Sequence, residues 1–221
     1  MKKILILALV FLLVNKVEAG FDTGLWCNGK LILEDGRVRH GAISYDVKFE
    51  VVRIQNRGMT RAYTAENVAF FEIDDPIKNL TRRFVALPSQ VYPGYERRAF
   101  FEVISHGELS MLRKSEYVRR PRATEDMRAP HVYLNVVCNH TYYIHHAEEG
   151  LVEIQDFKEQ VLPRMARYQK EVDKYISDCR FRLQKLHEQV RVFNLYNQLS
   201  AATEERMAAN TSAFSSSLGQ E

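Results

Sequence analysis

Between Gly29 and Asp75 apolar residues recur in five short segments, each closed by Gly, Asn or Asp, a pattern that fits a β-meander and little else. Leu31-Ile32-Leu33-Glu34 faces Arg37-Val38-Arg39-His40 across Asp35-Gly36, the pair that most readily takes the positive φ angles of a type I′ hairpin. Ala42-Ile43-Ser44-Tyr45 leads through Asp46 into Lys48–Ile54, whose apolar residues fall on both sides, as in a strand covered on both faces. Asn56-Arg57-Gly58 forms the next turn, Arg61–Thr64 a short strand and Val68–Ile73 the fifth. Five short strands with tight turns leave edges to be closed or covered, so the expected fold is α+β: an N-terminal antiparallel meander in a small barrel-like domain, followed by a helical segment.

Ahead of the meander, Lys2 and Lys3 precede an unbroken apolar run from Ile4 to Val14, and Val17-Glu18-Ala19 places small or apolar residues where a signal peptidase reads. Eleven apolar residues fall short of the ~20 that cross a bilayer. Residues 1–19 are therefore expected to be a cleaved signal peptide, and no later segment is apolar enough to span a membrane.

Losing Lys2, Lys3, Lys16 and Glu18 reduces 31 cations and 28 carboxylates to 28 and 27, so the exported chain is close to neutral. Arg82-Arg83, Arg97-Arg98 and Arg119-Arg120-Pro121-Arg122 are local basic clusters, but interspersed acids make them a solvated surface and no nucleic-acid partner is expected. Three cysteines remain, Cys27, Cys138 and Cys179. Export would bring them into an oxidising compartment, where Cys27 and Cys138 could pair or all three stay as free thiols.

After Asp74-Asp75-Pro76, residues Arg82–Leu87 read as a strand ending at Pro88, with a loop from Pro88 to Gly94. Ala99–Ile104 and Glu108–Arg113 form a second hairpin around His106-Gly107. On it, Phe101, Val103, Leu109 and Met111 are expected on one face and Phe100, Ile104 and Leu112 on the other. Tyr117 to Pro130 carries alternating charge and two prolines, the composition of a long exposed loop. Val132–Val137 and Thr141–Ile144 are the last β segments.

His131, Cys138, His140, His145 and His146 are the only residues that resemble a metal site. On an extended strand His140 and His146 stand ~20 Å apart and cannot share an ion. No recognised zinc spacing is present, so no metal ligand, cofactor-binding residue or catalytic residue is assigned.

From about Gly150 the period lengthens. Ile154, Phe157, Val161, Met165, Tyr168, Val172, Tyr175, Cys179, Leu183, Leu186, Val190 and Phe193 make one helical stripe, and everything in this region is expected to be helix. Pro163 predicts a break near Leu162, and Ser177-Asp178 a cap for a third helix. The stripe either packs on the β domain or is a coiled-coil interface. The domain plan is thus 1–19 signal, 20–149 β-rich, 150–200 helical and 201–221 a disordered tail.

Gly41–Asp46, Tyr63-Thr64-Ala65 with Phe70-Phe71, Phe100-Phe101-Glu102-Val103, Tyr142-Tyr143-Ile144 and Phe193-Asn194-Leu195-Tyr196-Asn197 resemble a family of exported Bacteroidota proteins that carries no assigned activity. The resemblance implies an address in the periplasm or on the cell surface and transfers no site residue. The expected role is non-enzymatic, binding another envelope protein or a second copy through the C-terminal helices. A second reading is a binder of glycan or anionic lipid on Tyr92, Tyr95, Arg97 and Arg98. A hydrolase is less favoured, because no nucleophile elbow, phosphate loop or metal motif places Ser, His and Asp together.

Overall fold

The structure, a computed structural model, describes residues 25–92, 95–121 and 134–218, with side chains for all of these except 91, 92, 119–121, 134–136 and 206–218. Ten strands form one antiparallel sheet: β1 Cys27–Leu33, β2 Val38–Asp46, β3 Val51–Asn56, β4 Met59–Thr64, β5 Val68–Asp75, β6 Leu80–Tyr92, β7 Tyr95–Ser105, β8 Ser110–Pro121, β9 Leu134–His146 and β10 Gly150–Glu153. Three α-helices follow, α1 Phe157–Gln160, α2 Gln169–Asp178 and α3 Leu186–Leu218, with a 3₁₀ segment Leu162–Tyr168 between the first two. The α+β plan of the sequence is the observed one.

The barrel is not. Strand order is β10-β9-β8-β7-β6-β5-β1-β2-β3-β4, and the sheet stays open with β4 and β10 at its edges. It nevertheless coils. The ring of Tyr45 on β2 lies 5.6 Å from that of Phe100 on β7, although β1, β5 and β6 lie between them. Flat strands four places apart would be ~19 Å distant. Phe71 stacks on Phe84 at 4.5 Å beneath Tyr45, and Leu31, Ile43, Val52 and Val68 complete this first core.

The β6–β7 end reaches back to turns that join the first five strands. Beyond Val85, β6 has left β5 and pairs only with β7, and there the strand continues through Pro88, whose missing N–H is tolerated beside an unpaired edge. The loop expected from Pro88 is therefore strand as far as Tyr92. Its basic pair ties down three turns: Arg97 bonds Glu50, the Arg98 guanidinium bonds Glu34, and the Arg98 amide donates to Glu66 at 3.0 Å.

Two turns differ instructively. At Arg57-Gly58 both residues take positive φ, as a two-residue hairpin requires. At Asp35-Gly36 only Gly36 does, because Leu33 N donates to Arg37 O and the loop takes three residues. Asp35 caps that loop by accepting from Arg37 N at 3.0 Å.

The helical stripe is the second core. Phe157, Val161, Met165, Val172, Leu183 and Phe193 are buried with Leu109 of the β7–β8 turn and Met111 and Ile144 of the sheet, and Ile154, Tyr168, Tyr175, Leu186 and Val190 pack around them. Only Cys179 of the stripe is exposed. The break at Pro163 is present: α1 stops at Gln160 and the proline opens the 3₁₀ segment. Other expectations fail. Gly150–Glu153 is the edge strand β10, not helix, and Ser177-Asp178 ends α2 rather than capping a helix. The turn into α3 is held by Glu188, which accepts from the amides of Arg182 and Leu183.

Where a disordered tail was expected beyond Ser200, α3 continues to Leu218. Ala201, Ala202, Glu204, Glu205, Met207, Ala208 and Ala209 are good helix formers, and extending an existing helix needs no new nucleus. The second hairpin also slips by one residue. A bulge between Val103 and Ser105 sends Met111 to the helix side, while Leu112 joins Phe101 and Val103 on the opposite face.

Candidate functional site

Where β7, β8 and β9 leave the two cores, the sheet carries a buried charge. Glu102, 6% exposed, sits opposite Arg113 on β8 and Phe84 on β6. Arg82 reaches it with two hydrogen bonds, Nε to Oε1 at 2.8 Å and Nη2 to Oε2 at 2.9 Å, and Arg113 adds two more to Oε2, from Nη2 at 2.6 Å and Nε at 3.2 Å. Burial disfavours the carboxylate, but the hydrogen bonds from Arg82 and Arg113 outweigh it and hold Glu102 below the ordinary range. An acid or base must exchange protons near neutrality, and this group is locked ionised. Glu102 is therefore structural, anchoring β8 to the rest of the sheet.

Beyond that anchor β8 and β9 depart together. Pairing between β7 and β8 runs from Ser105↔Met111 to Glu102↔Arg113, and β10 reaches β9 only from Tyr143 to His146. Pairing between β8 and β9 continues from Lys114↔Thr141 to Pro121↔Leu134. Residues 114–121 and 134–141 thus form a two-stranded ribbon some 26 Å long, at ~3.3 Å per residue, with both edges unpaired among the described residues. An isolated ribbon of two strands is only marginally stable in water, and open edges are templates for further strands.

Each face of the ribbon also carries one apolar cross-strand pair among its polar ones. Tyr117, 49% exposed, faces the exposed Cys138, while Val118 faces Val137, 40% exposed, on the other side. Its polar contacts include Ser115 Oγ to His140 Nδ1 at 2.9 Å and Lys114 to Glu116 at 3.0 Å, each joining one ribbon residue to another. The β6–β7 end, by contrast, is fastened to Glu34, Glu50 and Glu66.

The histidine constellation is dispersed. His131 lies outside the described residues. Cys138 and His140 share one face of the ribbon, whereas His145 and His146 pair with Leu151 and Gly150 at the opposite end of β9. Among the described residues no group of three His, Cys, Asp or Glu side chains could hold a metal ion. Burial lowers the pKa of His140 and of His145. Ser115 and His140 touch, but the serine occupies Nδ1, the nitrogen that an orienting carboxylate takes in a catalytic triad.

The aromatic and cationic platform of Tyr92, Tyr95, Arg97 and Arg98 does not assemble as a site. Both guanidinium groups are engaged by Glu50 and Glu34, and Arg98 Nη2 also donates to the Ala86 carbonyl at 2.6 Å. The side chain of Tyr92 is outside the described set. Arg82 is committed to Glu102, and Arg83 pairs with Glu72 at 3.7 Å. Cys27 is buried on β1 while Cys138 is exposed on the ribbon, and both are free.

Two features escaped the sequence. The β8 half of the ribbon read as a loop from Tyr117, because residues from there onward alternate charge rather than hydrophobicity, whereas the segment Val132–Val137 already placed a strand on the β9 half. The Arg82–Glu102–Arg113 cluster left one signal, a glutamate inside the apolar run Phe100-Phe101-Glu102-Val103. Among the described residues no helix is long and apolar enough to cross a membrane. Comparisons with protein-family models, with curated proteins and with solved structures return no match for this chain.

Proposed function

We propose that this is an exported, non-enzymatic interaction protein of the bacterial envelope, and that it engages another envelope protein through the β8–β9 ribbon. The observation that carries the reading is the ribbon itself, two strands that leave the sheet with both edges unpaired among the described residues and with Tyr117 and Val137 exposed. A partner that adds an extended segment to either edge gains main-chain hydrogen bonds, and side chains on alternate positions give selectivity. The signal-like residues 1–19 and the family resemblance support the envelope address. The helical stripe, the other surface considered for a partner, is used internally in the second core.

Arg113 and Tyr142 are directly paired at the root, so an Asn-Gly turn joining them removes the ribbon and leaves the anchor in place. The shortened chain is expected to keep the melting temperature of the full chain and to lose the protein that co-purifies with it from cross-linked envelopes. Retention of that protein at full stoichiometry would overturn the proposal, and recovery of only a second copy of this chain would replace it by self-association.

A further inference from the structure

At the β4 edge of the sheet lies a cleft of about 250 Å³ lined by Arg39, His40, Ile54, Asn56, Arg57, Met59, Arg61 and Tyr63. From it we infer a binding site for a phosphorylated ligand. Among the described residues three arginines line it and no carboxylate does. Among the described residues none of Arg39, Arg57 and Arg61 forms a salt bridge, although eight other arginines of the chain do. The nearby carboxylate of Asp35 is already held by Arg37 at 2.6 Å.

Among the described residues the Nε of Arg39 is buried with no hydrogen-bond partner, a condition that costs stability and that an oxyanion oxygen would relieve. The positive φ of Arg57 is what the two-residue turn requires, and it sets this second cation on the same cleft. Asn56 fixes the turn by donating Nδ2 to the His40 carbonyl at 2.7 Å.

The chemistry of the lining narrows the class. Guanidinium forks match the geometry of phosphate oxygens, and Arg is preferred over Lys where that recognition matters. Ile54, Met59 and Tyr63 add an apolar wall for the group that bears the phosphate. The source is a soluble sugar phosphate or the phosphate of a lipid headgroup. This inference is independent of the ribbon, which occupies the other half of the sheet.

Calorimetric titration of the full exported chain tests it, with glucose 6-phosphate and inorganic phosphate as soluble probes and vesicles of phosphatidylglycerol, against neutral phosphatidylcholine, as the lipid probe. Saturable binding of one probe class is expected, weakened at least tenfold by Arg39→Met and by Arg61→Met. Arg83→Met removes the same charge outside the cleft and should leave binding unchanged. Binding of the soluble probes assigns a small-molecule source, and binding of anionic vesicles alone assigns the headgroup. Arg61 is exposed on the edge strand, so its variant folds even if Arg39→Met does not. Absence of saturable binding to every probe, or equal loss with Arg83→Met, would overturn the site.

Discussion

Asn197 of α3 lies so close to Gly107 at the β7–β8 turn that a Cβ built on the glycine would stand 2.3 Å from the Asn197 Cγ. The carboxamide fills the place of a side chain and satisfies the turn: Oδ1 accepts from Leu109 N at 3.2 Å, and Nδ2 donates to Leu109 O at 2.9 Å and His106 O at 3.3 Å. Asn194 accepts from Ser105 Oγ at 2.7 Å, and Tyr196 and Ser200 bond Glu108, so one helix face grips one hairpin. Gly107→Ala is therefore expected to destabilise strongly, because the turn and helix must separate. Asn197→Ala leaves buried backbone groups unpaired and should cost ~2–3 kcal/mol. Chemical denaturation measures both, and a change below ~0.5 kcal/mol in either would contradict the docking.

Acid should weaken the protein through Glu102. Its folded-state pKa lies below the ordinary glutamate range, so its contribution is complete above the unfolded value, ~4.3, and is lost as pH falls through the folded value. Glu102→Gln should flatten stability against pH in that acid window. At neutral pH it should also destabilise, by ~1–3 kcal/mol, because Arg113 loses its carboxylate partner and Arg82 keeps only Asp75, at 3.8 Å. Denaturation midpoints between pH 2 and pH 7 check both statements.

Alkali should act through Tyr196. Burial and the neighbouring Glu108 push its pKa up to about 12, against ~10 in the unfolded chain. The fold therefore favours the neutral phenol. That contribution is intact below pH ~10 and disappears as pH rises through the folded value. Burial pushes Tyr45 up in the same direction. Tyr196→Phe should reduce the loss of stability on going from pH 9 to pH 12, while costing ~1 kcal/mol at pH 7 for the bond to Glu108. Unfolding followed at each pH decides it.

Local chemistry was legible and long-range geometry was not. The Arg57-Gly58 turn, the His106-Gly107 hairpin and the break at Pro163 each depend on a few adjacent residues, and each stands where the sequence placed it. The facing of Met111 and Leu112 depended on a bulge that no residue type announces. Arg97 and Arg98 reach turns more than thirty residues away, and that separation is invisible to periodicity. The same holds at the candidate sites. Arg97 and Arg98 looked available because their partners Glu50 and Glu34 are remote, whereas Arg39, Arg57 and Arg61 are brought together only by the pairing of β2, β3 and β4. Phe193-Asn194-Leu195-Tyr196-Asn197 stands out as a motif in the sequence, and only the fold shows it to be a clamp on Gly107.

The central claim, that the ribbon is where a partner binds, is tested most directly by placing a photo-crosslinking amino acid at Tyr117 and at Val137 in the native host. The same residue at Lys174 on α2 serves as an exposed control. The account predicts one discrete heavier adduct from the ribbon positions, containing this chain and one other envelope protein, and none from the control. Ribbon positions that yield no adduct, or the same adducts as Lys174, would contradict it.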